Sequence, residues 1–121
     1  MLLTDFNRKF AGFLGIGFDT ESLTLKSQVY EFGNFREITE PELAEIVIER
    51  SSLTLKSEGG SHTVAAPNGT SFTVKDLLDA VELTERATRH KSNWFGGIDT
   101  HHVYFEGISE RDGKFEINWG S

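Results

Sequence analysis

One stretch of the chain is helical by every local signal, and it dictates what the rest must be. Between Thr73 and His90 the residues Val74, Leu77, Leu78 and Val81, extended by Thr84 or Thr88, recur at helical spacing and so form one stripe on a helix. Thr73 is placed to cap that helix, with Asp76 at the third position. The opposite face carries Lys75, Asp79, Glu82, Arg86 and Arg89 and reads as solvated. Glu82 with Arg86, and Glu85 with Arg89, stand four apart in the favourable order, each pair worth about 0.3–0.5 kcal/mol at an exposed site. A helix with one apolar stripe must bury it against another element, and the rest of the chain offers strands.

Residues 22–27 and 52–57 are the same hexapeptide, Ser-Leu-Thr-Leu-Lys-Ser. The flanking sequence does not match, whereas a structural repeat shows likeness across whole units, so these are two similar amphipathic strands. Each alternates Leu inward with Thr and Lys outward. The first extends to Phe32, with Leu23, Leu25, Val29 and Phe32 partly buried around one irregularity, and Gly33-Asn34 turns the chain. Gly59-Gly60 breaks the second. Asn68-Gly69, between the extended runs 61–66 and 70–73, predicts a hairpin because both residues accept positive φ. A closing hairpin joins 101–108 to 114–119, with Asp112-Gly113 in its turn.

Two segments carry competing signals. Leu2, Leu3, Phe6, Phe10, Phe13 and Leu14 recur at helical spacing, with Thr4 to cap and Gly15 to end a short helix. Phe10, Leu14, Ile16 and Phe18 nevertheless share one parity, as in a strand. Thr39-Glu40-Pro41-Glu42 is a capping-box sequence with an early proline, while Ile46-Val47-Ile48 suits a strand at least as well. Helix and strand both stay open for residues 40–50.

Ten Phe, two Trp and two Tyr in 121 residues supply a core of large rigid side chains, so residues 1–121 read as a single domain. Without cysteine there is no disulfide, thiolate nucleophile or Cys-ligated metal site. The formal charge is −7, and Glu31, Glu37, Glu40, Glu42, Glu45 and Glu49 face only Arg36. A field of that sign repels phosphate backbones. The one basic cluster, Arg86, Arg89, His90 and Lys91, falls at a helix end where it complements the dipole, so no nucleic-acid partner is expected. The apolar run 10–18 is far shorter than the ~20 residues that span a bilayer, and no cleavage site follows it. A cytoplasmic protein without a membrane partner is expected.

The densest chemistry lies in residues 93–107. Period-two alternation places His101, Val103 and Phe105 on the core side, with Phe115, Ile117 and Trp119 of the partner strand. His102, Tyr104 and Glu106 take the other face, where Lys114, Glu116 and Asn118 join them. An imidazole, a phenol and carboxylates side by side suit acid–base work or a polar ligand, which makes His102, Tyr104, Glu106, Glu116 and Asn118 candidate ligand-binding residues. The same set is also the ordinary solvent face of an antiparallel sheet. Asp99 and His101 have the spacing of a metal-ligand pair, but no second pair accompanies them. Trp94 and Phe95, ahead of Gly96-Gly97, are candidates for a partner anchor or for a plug on the open end of the core. Phosphate-binding loops, nucleophile elbows and dinucleotide fingerprints are absent, and no cofactor is expected.

The expected fold is α+β: an antiparallel sheet built from hairpins, packed by one long helix at about 74–90 and by a short N-terminal helix. The expected function is a protein-interaction or binding module without catalysis, acting through its acidic surface on a basic protein or on a second copy as a homodimer. The alternative is a small metal- or ligand-binding enzyme that uses the polar face of the C-terminal hairpin.

Overall fold

The computed structural model describes residues 1–15, 23–91 and 102–120. In chain order these form α1 (Leu3–Lys9), β1 (Phe10–Gly15), β2 (Thr24–Glu31), β3 (Asn34–Arg36), α2 (Glu40–Leu43), β4 (Ile46–Ile48), β5 (Ser52–Ser57) and β6 (Gly60–Ala65). Then come β7 (Phe72–Thr73), α3 (Val74–Thr88), a 3-10 turn at Arg89–Lys91, β8 (Tyr104–Arg111) and β9 (Lys114–Gly120). Among the described residues seven strands make one sheet in the order β3-β2-β1-β8-β9-β5-β6, and β4 pairs with β7 separately. The fold is α+β, and its sheet is mostly antiparallel. The exception is β5 beside β9, a parallel pair that no tight turn can join and that α3 helps to bridge.

Both ambiguous segments hold two elements in succession. Helix α1 ends where the Phe10 N–H donates to the Phe6 carbonyl, and the chain continues from Phe10 as a strand. Thr4 does not cap it, since Leu2 is the N-cap and brings no side-chain bond, and Gly15 lies in β1. The Thr39 capping box starts α2, and Ile46–Ile48 is a strand. Both hexapeptides are amphipathic as expected. Leu23, Leu53 and Leu55 are buried, Leu25 is half-buried, and Thr24, Lys26, Thr54 and Lys56 are exposed.

Three turns differ from expectation. Strand β2 is regular, pairing residue for residue with β1 from Phe10↔Val29 to Gly15↔Thr24. It ends in a turn on Phe32 and Gly33, both at positive φ, which leaves Phe32 92% exposed and outside the core. The hairpin expected at Asn68-Gly69 is absent: β6 folds back on β5 around Glu58-Gly59, while β7 pairs with β4. Asn68 turns the chain another way, its side-chain oxygen accepting from the N–H groups of Thr70 (2.9 Å) and Ser71 (2.8 Å).

The last turns of α3 reach both wings of the large sheet. The Arg86 Nε donates to the Leu23 carbonyl beside β2 (2.8 Å), and the Ser57 hydroxyl of β5 donates to Glu85 (2.9 Å). At the β5–β6 turn the backbone of Gly59 lies so close to the Thr88 carbonyl that no Cβ would fit. On a flat sheet β2 and β5 would stand about 19 Å apart, against a helix diameter of about 10–12 Å. The sheet therefore curls around α3. In the middle α1 fills the concavity with Phe6, and Asn7 serves the bulge in β8. Its amide donates to the Ile108 carbonyl (2.7 Å) and accepts from the Ile108 N–H (2.8 Å), taking the ladder position that β1 does not reach. Among the described residues no helix is long and apolar enough to cross a membrane.

The charged row of α3 is not a solvated face throughout. Lys75–Asp79 is exposed, but the Glu85 and Arg89 side chains are 1% and 0% exposed. Arg89 Nη2 donates to Glu85 (2.8 Å) and to the His102 carbonyl (2.7 Å), and its guanidinium lies 4.9 Å from the centre of the Trp119 ring. The Trp119 indole in turn donates to Ser57 (3.1 Å). Because the sheet wraps the helix, residues on the flank of the apolar stripe are enclosed too. Arg89→Met should cost on the order of 3–5 kcal/mol in urea unfolding, and Glu85→Leu added to it should recover much of the loss. A single-variant cost below about 1 kcal/mol would place the pair in solvent instead.

Candidate functional site

In β8 the closing hairpin follows its alternation as far as Glu106, and β9 keeps it through Ile117. Val103, Phe105, Phe115 and Ile117 are buried, while Tyr104, Glu106 and Glu116 are exposed. The bulge between Phe105 and Ile108 then shifts parity, so that Ile108 turns inward opposite Ile117 and Ser109 turns outward opposite Glu116. Of the five candidate residues, Tyr104, Glu106, Glu116 and Asn118 share the open face of the two strands, and His102 lies ahead of β8. The His102 carbonyl serves Arg89. The Tyr104 ring packs 5.5 Å from that of Phe13 in β1. Glu106 lies across Gly120, and Asn118 donates to the Ser109 hydroxyl (2.7 Å). Glu116 falls in a separate hollow of about 940 Å³ with Arg50, Lys56, Arg111 and Lys114. Among the described residues no three His, Asp or Glu side chains are grouped to hold a metal ion. Trp94, Phe95, Asp99 and His101 lie outside the described residues.

A different place gathers more. Strand β2 is eight residues long and its outer neighbour β3 only three. The ladder fixes which way the backbone of β2 points. The Leu14 N–H donates to Val103, away from β2, so Leu14 and Leu25 face each other without a bond and Leu25 directs its own groups outward. The Leu25 N–H is met there by Glu82 of α3 (3.2 Å), and Arg86 meets the Leu23 carbonyl. These two side chains, themselves an ion pair at 3.3 Å, end the sheet as a strand would. Val29, of the same parity, pairs with Arg36 of β3. Between these two covers the N–H and C=O of Ser27 point outward, opposite neither β3 nor a bonding side chain of α3.

A cleft of about 980 Å³ opens at this gap. Phe13, Gln28, Phe35 and Tyr104 line it on the open face of the sheet, and Leu25, Ile38, Leu43 and Leu78 on the helical side, so it wraps around the β2 edge. The open face here is unusually apolar for a sheet surface. Phe13 packs on Tyr104, Tyr30 packs on Phe35 with ring centres 5.1 Å apart, and Phe32 projects from the β2–β3 turn. The chain segments that supply the walls are acidic. Residues 31–49 bring six glutamates against Arg36, and residues 75–82 bring Asp76, Asp79 and Glu82 against Lys75, which together equal the chain's whole formal charge of −7.

Part of that charge fastens the wall itself. Arg36 bonds Glu42 (2.8 Å) and Glu31 (3.0 Å), and Lys9 of α1 reaches Glu42 at 2.7 Å. The Arg36 guanidinium, then Lys9, then the Thr39 N–H hold the Glu42 carboxyl well below the usual carboxylate range. Across the cleft, Asp79 raises the affinity of Lys75 for its proton.

Reasoning from the sequence missed this edge, although signals for it were present. Glu31 and Asn34 bracket a two-residue Phe32-Gly33 turn, and the Thr39 capping box sits only three residues past Arg36, so β3 had no room to cover β2. Comparison with protein-family models, with curated proteins and with solved structures finds no match, so the site is read from its own geometry.

Because Glu42 binds its proton less readily in the folded chain than in the unfolded one, its contribution to stability is complete above the ordinary carboxylate pKa and is lost as pH falls from there. Glu42→Gln should be less stable than the parent at pH 7, and the gap should narrow below about pH 4.3. Denaturant unfolding at several pH values checks this. A gap that is constant down to pH 3 would mean that the carboxylate is not held by Arg36 and Lys9.

Proposed function

We propose that this chain is a protein-interaction module that holds a basic partner in the cleft around the β2 edge. One observation carries the reading: an apolar-lined cleft opens between two acidic segments, with Glu37, Asp79 and Glu82 in its lining against Lys26 and Lys75. Apolar lining supplies the burial that drives association, and the net negative charge of the segments that form the walls favours a partner of the opposite sign and speeds its encounter. The aromatics beside the cleft strengthen the case, since rigid aromatic side chains are enriched where binding energy concentrates. Tyr104 is the one residue of the candidate hairpin face that belongs to this site, through its contact with Phe13.

A fluorescein-labelled eight-residue peptide alternating lysine with valine serves as the probe, read by fluorescence polarisation. Its affinity should fall as salt rises. Glu37→Lys combined with Asp79→Lys should weaken it at least about tenfold, whereas Glu58→Lys combined with Glu110→Lys, an equal change of net charge away from the cleft, should change it less than about threefold. Equal losses in both double variants would reduce the interaction to non-specific attraction and sink the reading.

A further inference from the structure

We propose that the cleft takes its partner by strand addition: a short extended segment lies along β2 at Lys26–Gln28 and exchanges backbone hydrogen bonds with Ser27. This mode rests on the interaction reading of the cleft and adds to it how the partner is held. Leu25 and Val29 are the last edge positions already served, by Glu82 of α3 and by Arg36 of β3. The gap between them spans about 13 Å at ~3.3 Å per residue, room for three or four residues of an added strand. Side chains of such a strand alternate. One set is directed to Leu25, Ile38, Leu43 and Leu78, which calls for apolar residues; the other lies toward Lys26, Gln28 and Phe35 on the open face. Main-chain bonds then give affinity, and the apolar side of the cleft gives selectivity.

The charge of the walls selects the occupant. The cleft lining carries the carboxylates of Glu37, Asp79 and Glu82 against Lys26 and Lys75, and the segments 31–49 and 75–82 that supply it are acidic overall, so lysine or arginine on either side of the apolar positions suits it. A second copy of this chain fits less well. Among the described residues the outer strands of its large sheet are β3, whose Arg36 is already held by Glu31 and Glu42, and β6, which like β4 and β7 of the small pair carries no lysine or arginine. The occupant is therefore an extended basic segment of another protein.

The test uses the full chain with the lysine–valine peptide and two versions of it, one methylated on the backbone nitrogens of the lysines and the other on those of the valines. All three carry the same charge. An added strand turns only alternate amides toward β2, so one methylated peptide should bind about tenfold or more weaker while the other stays close to the parent. Ser27→Pro removes the outward N–H without touching the ladder to β1, a place where an edge strand accepts proline, and should weaken the parent peptide comparably. Should that variant fold poorly, the peptide pair still decides. Equal binding of the two methylated peptides overturns strand addition. If charge reversal at Glu37 and Asp79 still abolishes binding in that case, the interaction reading survives without it. A dimer in sedimentation that Ser27→Pro dissociates also overturns the proposal, in favour of a second copy on the edge.

Discussion

An eight-residue strand beside a three-residue one leaves part of its edge uncovered among the described residues, and much of this molecule is a response to that mismatch. Unpaired strand edges invite uncontrolled pairing, and folded proteins generally cover them. Here the cover over Leu23 and Leu25 is not a strand but the Glu82 and Arg86 side chains of α3. To bring them there the helix must lie against β2, and its neighbouring residues meanwhile bond β5 and touch the β5–β6 turn. The curl of the sheet, the enclosure of Glu85 with Arg89, and the close approach at Gly59 all follow from one helix serving two wings.

What the helix covers ends at Leu25, and what β3 covers begins at Val29. The remaining gap lies between acidic segments and beside exposed rings, an association that plain solvation of a sheet face does not require. The two positive-φ hairpin turns make the contrast plain. Asp112-Gly113 puts a small polar residue at the first left-handed position, whereas Phe32-Gly33 puts a bulky ring there and leaves it in water. Local turn chemistry does not favour phenylalanine at that position, so the turn itself does not account for the exposed ring.

Local rules served well where one signal acted alone. The Thr73 box, the stripe from Val74 to Val81 and the alternation of both hexapeptides are all realised as read. They served less well where the outcome depended on a distant partner. Glu85 and Arg89 sit on the flank of the stripe, and only the curl of the sheet makes them interior. Asn68-Gly69 has the chemistry of a hairpin turn, but the strand on one side found its partner in β5 and the strand on the other in β4. The hairpin face carrying Tyr104 and Glu106 was legible as a face, yet the bulge between Phe105 and Ile108 shifts its parity beyond Glu106. The β2 edge depends on comparing the lengths of two neighbouring strands, which residue patterns within either strand do not reveal.

Amide hydrogen exchange along β2, read residue by residue by nuclear magnetic resonance, tests the open edge most directly. Leu25 and Val29 have bonded N–H groups on the outer side and should be protected, while Ser27 between them should exchange at least about a hundredfold faster. A Ser27 amide as protected as its two neighbours would contradict the uncovered edge, and with it the cleft's claim to hold a partner by its backbone.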